Sequence, residues 1–414
     1  MAGSDVTART GGGYWRYAVM FLPYSLPQGF LTVALAYVLA KAHVPTVAIA
    51  GVIALQLGPN TWKVLWAPVV DCVWSYKRWY WVGGVANAVL LAALGFVPLT
   101  SAGLPALSVL ALLGGVASTF IGMATTGLMA HAVPPEQKGQ AAGWSQAGNI
   151  GSLGVGGGLG LWMAQHAGGV SVASAVLGAL CLLCILPTLS LTEPEHDHRA
   201  PRLRDTLRKV LLDLWSLVRS KLGLLALGLL VLPIGSGAAA NLFAAIAGDW
   251  KTGADTVALV TGVMAGVASA GGALVAGFVA DRFDRKSVYI GSGVLMAFCA
   301  VAMAVLPRTP STFIVFTTLY AVTNGCVYTA YYAVAFEAIG KGAAATKAQL
   351  LGCATNLPPL YVTLIEGAVQ TKIGSAAMLW SEALLTFGGI VAFGLFALGV
   401  KQLWSRRMIA LAAT

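Results

Sequence analysis

Apolar residues run along this chain in long blocks separated by short polar breaks. About 20 helical residues cross a bilayer's hydrocarbon core, and blocks at 14–40, 46–73, 79–99, 104–131, 139–164, 169–190, 222–248, 255–280, 287–306, 311–338, 345–370 and 376–400 all reach that length. The pattern predicts an all-α membrane protein with twelve transmembrane helices. The one long hydrophilic stretch lies between the sixth and seventh blocks. The expected organisation is a tail (1–13), a six-helix bundle (14–190), a basic linker (191–221), a second, pseudo-symmetric six-helix bundle (222–400) and a second tail (401–414). In the linker, Leu203, Leu207, Val210, Leu211 and Leu214 recur at helical spacing opposite basic residues, which predicts a helix lying along the membrane surface.

Polar residues within the apolar blocks stand at helical intervals. Thr317, Tyr320, Asn324, Tyr328 and Tyr331 follow one another by three or four positions, a single helix face rich in phenol and amide groups. Such a face inside a bilayer needs water, a partner or a ligand. The first block has Tyr24, Gln28 and Thr32, with Pro23 and Pro27 expected to kink it. The second places Gln56, Asn60 and Lys63 at i, i+4 and i+7; Lys63 stands eight residues before Asp71, about 12 Å along a continuous helix. An intramembrane lysine costs on the order of 2.5–3.5 kcal/mol to insert. It either attracts an anionic substrate group or pairs with a helix carbonyl. The fifth block carries Ser145, Asn149 and Ser152 within a glycine-rich run, which predicts close packing and bending. The eleventh has Gln349, Asn356, Thr363 and Gln370 at seven-residue intervals, interrupted by Pro358 and Pro359. Glu366 is the first candidate for carrying protons, since a carboxyl buried in a bilayer can take up and release one; an interfacial position is the alternative. Asp249 and Glu382 are weaker candidates near the ends of their blocks.

Composition agrees with membrane embedding. The chain is 58% hydrophobic and 10% charged, with a mean hydropathy of +0.80, whereas soluble domains carry about 25% charged residues. The net charge of +10 does not imply nucleic acid, because its placement follows the membrane. With both termini inside, twenty Lys/Arg fall on the cytoplasmic side, and only Lys41, Lys251, Arg308 and Lys372 fall outside. A cleaved signal is not expected, because Met1–Gly13 is polar and the first apolar block is too long. The six cysteines lie in or beside apolar blocks; Cys181 and Cys184 form a C-x-x-C read as helix packing. The Glu195-His196-Asp197-His198 cluster is read as a solvated loop. No Lys-Ser/Thr phosphate loop or nucleophile-base pair is recognisable. No enzyme activity, metal or cofactor is therefore expected, and a monomer is.

One unit occurs twice. From Gly277 the chain reads GFVADRFDRK, with Gly277, Asp281, Arg282, Arg285 and Lys286 spaced so that the glycine admits a neighbouring helix and the aspartate latches onto it. Near the end of the second block, Ala67 replaces the glycine, Asp71 keeps its place, and Lys77 and Arg78 arrive two residues later. The pattern G-x-x-x-D-R-x-x-R-K resembles the signature loop of the major facilitator superfamily. PPEQKG (134–139) and EAIGKG (337–342) repeat more loosely. The second block's Lys63, Leu65, Trp66, Ala67, Pro68 and Asp71 resemble the Lys-Phe-Leu-Trp-Ala-Pro-Leu-Leu-Asp run of the AmpG-like muropeptide permease branch. Val64 replaces the aromatic. LPQGF in the first block and GGGLGLWMAQ (156–165) extend that likeness. The branch includes siderophore-uptake permeases and is related to acetyl-CoA transporters. The resemblance implies a proton-driven symporter in a bacterial inner membrane that imports a bulky polar solute by alternating access. It also implies that spans one, four, seven and ten line a cavity, while three, six, nine and twelve face lipid. A drug or metabolite exporter of the same fold is the rival reading.

Overall fold

The computed structural model describes residues 15–133, 138–191, 208, 211–212, 215–280, 282–339 and 344–412. Every regular element among them is helical, as expected where lipid forces the backbone to satisfy its own polar groups. In chain order the helices are α1 (Trp15–Lys41), α2 (Thr46–Leu57), α3 (Ala67–Cys72), α4 (Tyr76–Leu94), α5 (Leu104–Ala132), α6 (Lys138–Gly154), α7 (Gly160–His166), α8 (Gly169–Leu183), α9 (Lys221–Val231), α10 (Ala254–Ala280), α11 (Arg285–Val305), α12 (Pro310–Ile339), α13 (Ala344–Thr355), α14 (Leu357–Ile373) and α15 (Ser375–Ala412). Among the described residues, seven stretches are long and apolar enough to cross a membrane, those of α1, α5, α8, α10, α11, α12 and α15. α15 continues well past residue 400, where a tail was expected.

The blocks at 46–73, 222–248 and 345–370 are interrupted, whereas 139–164 runs on through a π-helical turn at Val155–Leu159. The first of these, expected as one helix, is α2, a turn at Pro59–Trp62, a 3-10 turn at Lys63–Leu65, and α3. Pro59 and Pro68 each stand at the start of a helical turn, where a missing N–H leaves no bond unmade, so the helix restarts twice. Lys63 therefore sits on a break, and its distance from Asp71 is not that of a continuous helix. Block 222–248 stops at Val231. Pro233 brings no N–H, and Gly235 and Gly237 adopt φ of 61° and 70°, which turn the chain out of the helix. Two side chains cap the carbonyls this exposes: the Tyr361 hydroxyl donates to Val231 O at 2.9 Å, and that of Thr386 to Pro233 O at 3.3 Å.

α1 behaves differently although it contains two prolines. Pro27 deprives the Pro23 carbonyl of its helical donor, and Asn87 Nδ2 from α4 donates to that carbonyl instead. The helix continues, with a π-helical turn at Phe30–Leu35.

Glycines set the closest packing. A Cβ at Gly156 would stand 2.0 Å from Leu26 O, and one at Gly148 2.1 Å from Ala18 O, so the fifth block lies hard against α1 as its composition predicted. α10 and α12 touch at Gly272 and Gly325, where a Cβ would come within 1.9 Å of the opposing carbonyl. The close approach expected at Gly277 is not found there; its nearest neighbour is a Thr329 methyl at 4.0 Å. Apolar side chains on the outer faces of α4, α8, α11 and α15, such as Val89, Leu183, Leu295 and Leu384, are exposed and form a surface suited to lipid. α10 also presents Leu274 and Phe278 outward, so the lipid-facing set is wider than the resemblance implied.

Among the described residues, 15–190 and 221–412 meet along seams where α2 packs on α14, where α13 packs on the turns at Pro59–Trp62 and Lys63–Leu65, where α6 and α7 pack on α10, and where the turn at Phe243–Ile246 packs on the end of α1.

Candidate functional site

Polar groups expected to face an interior converge around α1, the break in the second block, and α12. The Tyr24 hydroxyl donates to Asn60 Oδ1 at 2.8 Å, with its ring lying over Gly122 of α5. The next residue, Ser25, donates to Asn149 of α6, which donates in turn to Gln146 Oε1 at 3.3 Å. Gln56 is buried and its Oε1 lacks a partner, while Gln28 is half-buried. Lys63 is half-buried at the 3-10 turn and within electrostatic reach of Cys353 on α13, across the seam. Beside it Trp62 packs edge-on to Trp66 at 4.4 Å, and Trp66 Nε1 donates to Thr119 of α5 at 3.2 Å.

The tyrosine face of α12 divides by height. Asn324, Tyr328 and Tyr331 line a cavity of about 30 Å³ together with Gly235, Ser236 and the Pro358–Pro359 break. That volume holds about one water molecule. Tyr328 is within electrostatic reach of Tyr24. Asn356, at the junction of α13 and α14, turns its amide back onto Gly352 O at 2.6 Å. Thr317 and Tyr320, further along the same face, point into the interior of 221–412 instead, both nearly inaccessible. The Tyr320 hydroxyl donates to Glu382 Oε1 at 3.1 Å.

Glu382 belongs to a polar centre. Ser236, on the unwound stretch, donates to its carboxylate (3.2 and 3.3 Å to the two oxygens) and accepts from Ala238 N–H at 3.2 Å. Glu366 of α14 is fully buried and has both oxygens enclosed with no N–H or O–H donor reaching them; the group it meets is the Glu382 carboxylate, at hydrogen-bonding reach. Glu366 is thus buried among the helices of 221–412. Asp249 is different: it is exposed, accepts a hydrogen bond from Ser375, and lines a surface pocket of about 560 Å³ with Lys41, His43 and Gln370.

That pocket marks the end of the molecule opposite the basic loops. Two cross-seam contacts close this far end. His166 Nε2 stands 2.7 Å from Asp255 Oδ1, an ion pair when the ring is protonated, and Val47 N–H donates to Thr371 Oγ1 at 2.9 Å. At the basic end, Asp281 lies outside the described residues, as do most of the linker residues and much of both Lys-Gly turns; the side chain of Asp71 is likewise not described. Arg282 lies over the Phe278 ring at 5.0 Å, and Arg285 with Lys286 opens α11. Lys77 and Arg78 occupy the first turn of α4, whose N-cap Ser75 accepts from Arg78 N–H at 3.4 Å. Asp284 caps α11, accepting from Ser287 N–H at 2.9 Å. That bond, more than the nearby Lys286, holds its carboxyl below the usual range.

Several groups escaped the sequence reading; Ser236 and the His166–Asp255 pair left no signal in it. Asn87 had a signal, an amide alone in an apolar block. So did Asp284, three residues before Ser287 at a helix start. The Trp62–Trp66 pair had none beyond its proximity to Lys63.

A family model described as Major Facilitator Superfamily matches residues 17–242, more than half of the chain. No curated protein matches it in sequence. Among solved structures, the nucleoside transporter NupG superposes with a TM-score of 0.68 at 15% identity, covering 93% of this chain and 98% of that one. The xylose transporter XylE from E. coli, in a partially occluded inward open conformation, gives 0.70 at 12% identity, with 92% and 96% covered. A D-xylose-proton symporter gives 0.70 at 13%, with 92% and 97% covered. At these identities the likeness is one of fold.

Proposed function

The chain belongs to the Major Facilitator Superfamily, as an integral multi-pass membrane transporter, and we propose that it imports a bulky polar, anionic solute by alternating access, driven by protons. In this reading twelve spans form two six-helix halves, the basic end and both termini face the cytoplasm of a bacterium, and the far end faces outward. The observation that carries the anionic preference is Lys63, a cation half-buried at a helix break on the seam between the halves, next to Asn60 and the exposed edge of Trp62. The ammonium would hold a carboxylate or phosphate, and the indole and phenol rings would hold a sugar or catechol ring. A muropeptide-like compound or a carboxylate-bearing siderophore has that chemistry; an acetyl-CoA-like anion is the runner-up.

The cavity lined by Asn324, Tyr328 and Tyr331 accommodates about one water, so a bulky solute reaches that face only after it opens. The His166–Asp255 and Val47–Thr371 contacts must break for far-end opening, and the Asp71 and Asp281 turns are the proposed latches at the basic end. Glu366 is preferred over Asp249 as proton carrier because it is sealed from bulk water.

A second reading, a neutral sugar-like solute, is favoured by the number of uncharged hydrogen-bonding groups facing inward: Tyr24, Gln28, Asn60, Asn149 and Asn324. Uptake into right-side-out vesicles with an acid exterior separates the two. Muropeptides, siderophores and acetyl-CoA should accumulate on the first reading, nucleosides and xylose on the second. Failure of every compound to accumulate removes the uptake reading.

A further inference from the structure

We propose that Glu366 and Glu382 together hold a single exchangeable proton, and that Ser236 on the unwound stretch 232–237 links this proton to the small cavity beside Asn324. This rests on the proton-driven reading and adds the second carboxyl and the route.

The two glutamates come from neighbouring helices, α14 and α15, and are at most 1% exposed. Their hydrogen bonding is unequal. Glu382 receives donors from Tyr320 and Ser236. Glu366 receives no hydroxyl or N–H donor, although both its oxygens are enclosed; its hydrogen-bonding neighbour is the Glu382 carboxylate itself. Among the described residues, the surrounding elements bring no compensating charge. α12 brings Tyr320. α2, packed along α14, has no ionisable side chain over Thr46–Leu57, and neither has the turn at Ala238–Asn241. α11 brings Tyr289, whose electrostatic neighbour is Tyr361. Asp249 is at the surface on Ser375.

Two adjacent carboxylates without a counter-cation repel one another and bear the full cost of desolvation. One proton relieves both penalties. It forms an O–H bond on one carboxyl, which then donates to the other and turns their acceptor-to-acceptor contact into a hydrogen bond. The proton arrives from a hydrated proton in the cavity, leaving water behind, and departs by the reverse step.

Ser236 is placed for that transfer. Its hydroxyl donates to Glu382, while its residue also lines the cavity beside Asn324. Gly235 and Gly237, both at positive φ, keep the stretch from closing into a helix that would withdraw the hydroxyl. The cavity's one-water volume suits a bridging water between bulk and Ser236.

Infrared spectroscopy of the purified full-length protein in liposomes tests this without knowing the solute. At neutral pH the wild type should show the carbonyl stretch of a protonated carboxylic acid, shifting in deuterated buffer, and E366Q should lack it. S236A should keep the band but slow its deuterium shift on the order of tenfold, as loss of one hydrogen bond of about 1.4 kcal/mol implies. No protonated-acid band in the wild type overturns the proposal, as does a band unchanged in both E366Q and E382Q. Sodium chloride abolishing the band and raising Tm, where choline chloride does not, overturns it in favour of a sodium site. The vesicle experiment is independent: failure of uptake with the band intact removes the transport reading alone.

Discussion

α1 and the stretch 221–250 each open a run of packed helices, and each contains proline, yet one stays helical and the other comes apart. In α1 the carbonyl orphaned by Pro27 is met by Asn87, so the bend is absorbed. In the later stretch Pro233 is followed by two glycines at positive φ, and the exposed carbonyls are met by hydroxyls from α14 and α15. The difference teaches that proline alone bends a membrane helix, whereas proline with glycine opens a gap that function can use. The charge follows the same division. Residues 15–190 present a cation, Lys63, at a break; 221–412 enclose a pair of acids behind one. In the proposed function, a solute anion and a proton would therefore have separate homes on either side of the seam.

The largest effect should come from forcing the open stretch to accept side chains. Gly235→Val puts a β-branched residue at φ 61°, with its Cβ 2.9 Å from the Gly293 backbone, and should cost roughly 3 kcal/mol or more. Gly291→Ala, in α11 with nothing within 4 Å of the added methyl, should be neutral or stabilising. Thermal melts of purified protein in detergent check both. Asn87→Leu should cost roughly 1–3 kcal/mol by leaving the Pro23 carbonyl unpaired. Adding Pro27→Ala restores the helical donor and should recover most of that loss; if it does not, α1 is held straight by packing rather than by the amide. Lys63→Gln should raise the half-saturation concentration for an anionic solute on the order of tenfold, about 1.4 kcal/mol, and leave a neutral sugar unaffected in the same vesicle assay.

Much of this division could be read in the chain. Pro358 and Pro359 announced one broken helix and GNIGSLGVGGGLG announced close packing, though not its partner α1; Pro59 and Pro68 carried the same signal in the second block, which was nevertheless expected to be continuous. The α12 row was legible as a face, but its split between cavity and acid pair was not. Glu382 stands sixteen residues and one helix boundary from Glu366, and their adjacency depends on how α14 and α15 cross. The His166–Asp255 pair, 89 residues apart, is a product of the α7–α10 seam. Local pattern fixes the faces of helices, and packing alone decides which faces meet. The glycine of the repeated loop misled for the same reason: Gly277 matches a pattern, but Gly272 and Gly325 make the contact.

The smallest effect sharpens the comparison at the repeated basic turns. The first turn leads into α4 through Ser75, whose hydroxyl accepts from Arg78 N–H at 3.4 Å; the second leads into α11 through Asp284, which accepts from Ser287 N–H at 2.9 Å and carries charge. Asp284→Ala should cost about 1 kcal/mol, the usual value of an N-cap, and Ser75→Ala about half that. Only the second cap should depend on pH. The Ser287 N–H bond and, to a lesser degree, Lys286 hold the Asp284 carboxyl below its ordinary range. Its contribution is therefore present above the unfolded-state value of about 3.9 and is lost as pH falls through the lower folded value. Hydrogen exchange in the first turn of α11 should accelerate on acidification below that range, relative to the first turn of α4, and Asp284→Asn should abolish the difference. Equal acid response in the two turns would mean that the aspartate caps its helix no differently from the serine.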